Sequence, residues 1–175
     1  NREHVWPQSL LGVSAGSSVN AASDIHNLKP ASPSYNSSRG NKYFDNATTS
    51  VAYEPRDEVK GDVARILFYM AVRYDNLNLI NGTPTTYQMA MLNTLLQWNI
   101  DDPVDSFEQN RNNVIFSYQK NYNPFIDHPE FAQKIWGSVT LTNDTTVFLH
   151  VETSSYLFMN NVIAVPQAVN RSYVS

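Results

Sequence analysis

The sequence contains no cysteine. That absence excludes a disulfide framework, a thiolate zinc site and a cysteine nucleophile together, while leaving the compartment open. Charge is scarce as well: charged residues make up 16 % of the 175 positions, with 12 basic against 16 acidic side chains and a formal net charge of −4. Such a balance is unfavourable for unselective binding to a polyanion, which draws its strength from Lys and Arg set against phosphates. A locally positive cleft remains open, because the basic residues fall in groups: Lys29, Arg39 and Lys42, then Arg56, Lys60 and Arg65, then Arg111 and Lys120. Long apolar runs are also missing. The richest, Val63 to Val72, contains Arg65 and stops at Arg73, so nothing here spans a bilayer as a helix. Asn1 to Gln8 has neither the charged start nor the apolar core of a signal peptide.

What is present suits one folded α+β domain. Hydrophobic residues reach 42 %, enough to fill a core of ordinary size. Gly12 to Ser23 reads as a Ser/Ala/Gly-rich loop, and Pro30 and Pro33 argue against a helix across Lys29 to Ser34. Short strands joined by a long loop fit this first part best. Val59, Val63, Ile66, Leu67, Met70 and Tyr74 then recur at three- and four-residue spacing, which predicts a helix with one buried stripe. A second helix is predicted over Tyr87 to Trp98, with Met91, Leu92, Leu95 and Leu96 inward. Asp102 as cap and Pro103 in the first turn predict a third, carrying Val104, Phe107, Val114 and Tyr118 on one face and ending near Asn121. A short fourth is predicted from Pro129 to Ile135. Beyond Gly137 the pattern turns strand-like, with Val147, Leu149 and Val151 alternating after the turn-prone Asn143-Asp144.

The local signal for chemistry is Arg2-Glu3-His4-Val5-Trp6-Pro7, followed by Asp24-Ile25-His26-Asn27-Leu28-Lys29-Pro30 and Asn36-Ser37-Ser38-Arg39-Gly40-Asn41. A neighbouring Glu and His are weak evidence by themselves. The residue types nevertheless fit phosphodiester hydrolysis, which needs a base to generate the attacking hydroxide and a cation to absorb the developing charge. Histidine is the natural base near neutral pH, and carboxylate and amide oxygens suit a hard ion such as magnesium.

These segments, with Lys60-Gly61-Asp62-Val63-Ala64-Arg65, Phe68-Tyr69-Met70, Leu96-Gln97-Trp98, Asp102-Pro103-Val104 and Asn121 through Pro129, resemble the bacterial endonuclease I family of ββα-metal (His-Me finger) nucleases. The resemblance runs from Asn1 to Trp136 in the same order. It implies a ββα-metal finger core enclosed by several helices over residues 1–136. Residues 137–175 are expected to form a β-rich C-terminal extension, packed on that domain or opening a second module. It further implies His4 as general base, Glu3 and Asn41 as ligands of one divalent cation (Mg2+, with Mn2+ or Ca2+ as alternatives), and products with 5′-phosphate ends. The implied substrate is DNA, with RNA alongside it, gripped through the phosphate backbone without sequence specificity. The implied protein is a monomer, secreted or periplasmic and free of membrane, whose signal peptide lies outside this chain.

Around that trio, Arg39, Lys42 and Arg111 are candidates for phosphate contact, since Arg pairs bidentately with phosphate oxygens. A salt bridge is the competing role for Arg39, and a structural ion pair for Arg111. Asp24 either orients His4, through its side chain or its carbonyl, or serves as a turn residue. His26 reads as a packed structural histidine, His128 as part of a loop clasp and His150 as a solvent-facing strand residue. Glu3 and His4 are neighbours on a strand yet must converge on one phosphate, so the strand is expected to end, twist or bulge here. Positions 3 and 4 would fray at a free terminus, which leads to the expectation of a segment upstream of Asn1. The competing readings are a non-catalytic extracellular polymer-binding module and a degenerate nuclease.

Overall fold

A computed structural model of the chain describes residues 1–14, 16 and 19–137. The strand-like tail after Gly137, with His150 in it, lies outside the described residues. Strand β1 (Arg2–His4) pairs antiparallel with β2 (Leu28–Pro30), setting Glu3 opposite Lys29 and His4 opposite Leu28. Pro30 ends the ladder, as a residue without an N–H must. Helix α1 (Pro33–Arg39) follows three residues later, so the window in which two prolines argued against a helix does contain a helix start. Pro33 occupies the first position, where a missing donor costs nothing, and Ser32 caps the turn through Tyr35 N at 3.3 Å.

The remaining elements are β3 (Tyr43–Phe44) paired parallel with β4 (Ala52–Tyr53), α2 (Lys60–Arg73), β5 (Asn78–Leu79) paired parallel with β6 (Gln88–Met89), α3 (Leu92–Asp101), α4 (Ser106–Gln119), α5 (Pro124–Asp127) and α6 (Glu130–Trp136). This mixture of helices and short strands is an α+β fold. The predicted first helix matches α2 to within a residue at each end. The second starts late, because Tyr87 takes φ 70° and Gln88–Met89 join a strand before the chain enters α3.

Helix α2 is the centre of the core. Ala64, Leu67, Phe68 and Met70 are fully buried, and Phe68 packs its ring at 5.6 Å from Phe125 and 5.1 Å from Trp136. Burying each such side chain stabilises the fold by about 1.5–3 kcal/mol. Arg65 is fully buried on the same helix. It donates through Nε and Nη2 to the two carboxylate oxygens of Glu108 at 2.9 and 2.5 Å, and through Nη1 to Asp102 O at 2.8 Å. Burial pushes the Glu108 carboxyl up from its ordinary value, against the pull of Arg65.

That pair explains two departures from expectation. Helix α4 turns Glu108, Asn112 and Ile115 inward, leaving Phe107 and Tyr118 60 % and 77 % exposed and Val114 exposed as well. Asp105, rather than Asp102, caps α4, accepting Glu108 N at 2.8 Å. Asp102 instead accepts Gly61 N at 2.8 Å and so satisfies the start of α2.

Candidate active site

The strand β1 carries the Glu3–His4 pair, and its hydrogen-bond register remains regular through His4. His4 is half-buried, and its Nε2 lies 2.9 Å from the carbonyl oxygen of Ala22. A carbonyl only accepts, so Nε2 carries a proton and, in the neutral ring, the lone pair is on Nδ1. Ala22 sits in a single 3-10 turn, Ala21–Ser23, which Asn20 caps by accepting Ala22 N at 2.9 Å. The ring is therefore held in the tautomer that leaves one basic nitrogen.

Glu3 is half-buried as well. Its Oε1 accepts from Arg39 Nη1 at 2.5 Å, and the same Nη1 donates to His4 O at 2.7 Å. Arg39 Nη2 donates to Val5 O, so one guanidinium closes the outer edge of β1. Glu3, Val5, Lys29, Arg39, Phe107 and Arg111 are among the residues lining a groove of about 660 Å³, whereas His4 is not. Strand β1 ends at His4, one of the outcomes expected of a strand that carries this pair. Arg39 is what links the two residues.

The same geometry removes Arg39 from the phosphate-contact candidates. It is 4 % exposed and its two terminal nitrogens are committed to Glu3 and to two backbone carbonyls. Arg111 is half-buried and donates Nη2 to Ile25 O at 2.8 Å and Leu28 O at 2.7 Å, buttressing the start of β2. Arg111 also lines the groove. Lys42 is half-buried just before β3. Asn41 follows Gly40, whose φ of 54° ends α1 in a conformation that favours glycine. Asn41 is exposed, at the corner where Arg39 reaches across to Glu3.

Among the described residues no group of three or more His, Asp or Glu is placed to hold a metal. A cation here would draw on Glu3 Oε2 and the Asn41 amide oxygen, neither of which has a hydrogen-bond partner among the described residues. Two hard oxygen donors suit an ion that keeps most of its water.

Asp24 does not bond His4; the Ala22 carbonyl does. The Asp24 carboxylate, 4 % exposed, accepts His26 N and Gln119 Nε2 on Oδ1, each at 2.9 Å, and Tyr69 and Tyr74 hydroxyls on Oδ2 at 2.8 and 2.9 Å. His26 is a buried, packed residue, with its ring 4.4 Å from that of Tyr69 and Nε2 3.2 Å from Asn121 O. Burial pushes its imidazole below the ordinary value. His128 stacks on Phe131 at the start of α6. Sequence reasoning missed Ala22, Tyr69, Tyr74 and Gln119. Backbone acceptors leave no mark on a sequence, and Asn20, a residue type that caps turns, was the legible clue.

Comparison with known proteins supplies the class. The endonuclease I family profile matches residues 1–52 and 45–130, and the chain belongs to that family of nucleases. It is similar to the extracellular ribonuclease of Bacillus amyloliquefaciens, 48 % identical over 158 residues that cover 78 % of this chain and 53 % of the relative. Similarity to the extracellular ribonuclease of Bacillus subtilis (strain 168) is 47 % over 156 residues, covering 78 % and 54 %. Endonuclease-1 of Buchnera aphidicola subsp. Acyrthosiphon pisum is 29 % identical over 119 residues, covering 59 % and 44 %. The chain spans about half the length of the curated relatives it matches.

Proposed function

We propose that the chain is a metal-dependent endonuclease that hydrolyses phosphodiester bonds of polynucleotides, with His4 as general base and Glu3 and Asn41 as the protein's ligands for one divalent cation. The observation that carries this reading is the His4 tautomer. With Nε2–H donated to Ala22 O at 2.9 Å, Nδ1 is free to take a proton from water. The hydroxide so formed attacks phosphorus in line, and the 3′ oxygen departs, leaving a 5′-phosphate. Mg2+ is the cation the oxygen donors suit best, with Mn2+ and Ca2+ as alternatives; when bound, it neutralises charge on the phosphate and the departing oxygen.

The chemistry addresses phosphate and leaves base edges unread, which supports cutting without sequence specificity. Relatives named extracellular ribonuclease and endonuclease-1 support RNA as a substrate beside DNA, and secretion as the destination. Lys42 and the free nitrogens of Arg111 are the phosphate contacts in this reading, acting within a monomer.

The test is direct. Plasmid DNA and an RNA oligonucleotide are each incubated with the protein and Mg2+, then with EDTA, then with His4→Ala. Cleavage lost to both the chelator and the substitution supports the proposal; cleavage indifferent to His4→Ala overturns it.

A further inference from the structure

Asp24 receives more hydrogen bonds than a turn residue needs. As the cap of the 3-10 turn Ile25–Asn27 it requires only the bond from His26 N to Oδ1. Its second oxygen takes two tyrosine hydroxyls, Tyr69 from the middle of α2 and Tyr74 from the residue capping that helix. Gln119, the last residue of α4, completes the shell. Burying a carboxyl group to 4 % exposure is costly, and neutral donors offset that cost only when all of them are in place. Burial and the nearby carboxylate push both tyrosine hydroxyls far up, so they stay protonated and keep donating.

What this shell fixes is the position of the chain two residues after Ala22. Upstream, Asn20 holds the Ala22 N–H at 2.9 Å and Ser23 N donates to Asn20 O at 2.9 Å. Downstream, Asp24 is moored to α2 and α4. The Ala22 carbonyl lies between these two anchors, and it is the one protein acceptor on His4 Nε2 among the described residues. We infer that Asp24, Tyr69 and Tyr74 are positioning residues for His4: they hold the Ala22 carbonyl where it keeps the imidazole in its Nε2–H form. This inference rests on the reading of His4 as the general base.

Tyr69→Phe, Tyr74→Phe and the double variant remove hydroxyls without removing ring volume. Three readouts separate positioning from plain support: kcat and KM on an RNA oligonucleotide, the 15N shifts of the His4 ring, and the urea midpoint. The double variant is expected to lower kcat by roughly tenfold or more with KM nearly unchanged, part of the roughly hundredfold or more that a general base contributes. The His4 15N shifts should move from a pure Nε2–H pattern toward a mixture of tautomers. Folded variants with reduced stability but unchanged kcat and unchanged His4 shifts would overturn the inference. Tyr74, the more exposed of the two, keeps the test available if the double variant fails to fold. Activity surviving His4→Ala would sink the catalytic reading instead, while the 15N pattern would still report on the mooring.

Discussion

Glu3 and Arg39 are joined at 2.5 Å through a single carboxylate oxygen, and the arginine is buried behind it. One oxygen of Glu3 is thereby oriented by the protein and the other has no hydrogen-bond partner among the described residues, the arrangement expected of a ligand held by an outer partner. Glu3→Gln and Asn41→Ala should each raise the Mg2+ concentration for half-maximal cleavage by roughly tenfold or more, equivalent to about 1.4 kcal/mol of lost binding. Titration of activity against Mg2+ reads this; an unchanged requirement in both variants would remove these residues from the site.

The proposal that Glu3 and His4 serve one phosphate gives a second check. Mn2+ bound between Glu3 and Asn41 should broaden the NMR signals of the Asn41 side-chain amide and of the His4 ring together. Broadening at Asn41 with none at His4 would place the base too far from the ion to share a phosphate.

Breaking the buried ion pair should be severe. Arg65→Ala or Glu108→Ala strands a charge inside the core and is expected to cost about 3–5 kcal/mol in urea unfolding. Replacing both at once, Arg65→Met with Glu108→Leu, should recover most of that loss. Equal losses in the single and double variants would show that the charges themselves are not the cause.

This pair also marks where sequence reading stops. Helix α2 was legible almost to the residue, because Val63, Ile66, Leu67 and Met70 announce a buried stripe. Helix α4 was placed but rotated: Phe107, Val114 and Tyr118 look like an inner face, yet Glu108 and Asn112 go inside because Arg65 and Asn123 wait for them. Apolar periodicity cannot register a buried polar residue whose partner lies 43 positions away. Of the candidate site, Glu3, His4 and Asn41 stood out through the family resemblance. The commitment of Arg39 to β1, and the moorings of Asp24, depend on tertiary approach that no local pattern encodes.

His26 should make stability fall in mild acid. Its imidazole, 1 % exposed beside Asp24, Tyr69 and Arg111, is held below the ordinary value of 6.5, so the unfolded chain binds the proton more readily than the folded one. The stability it contributes is present above 6.5 and is lost as pH falls through the folded value. Urea midpoints at successive pH values should show a decline below that point, and His26→Gln should flatten it. An identical decline in the variant would assign the effect elsewhere.

Gly61 is fixed by close approach. A Cβ there would collide with Asp102 O and come within 2.8 Å of Arg65 Nη1. Gly61→Ala should cost about 1–3 kcal/mol, as overpacking of a filled site does. A thermal melt matching the parent would show that the Asp102 loop can give way.

The acceptor that fixes His4 is a main-chain oxygen, and this has a consequence for how the site can change over generations. Every amino acid supplies that oxygen, so drift at position 22 cannot delete it; only replacements too large for the buried space there, or shifts of the whole turn, can disturb it. Selection to preserve the imidazole's proton arrangement therefore acts on moorings such as Asp24 and its tyrosine partners, leaving the residue in contact with the ring comparatively unconstrained in chemical type.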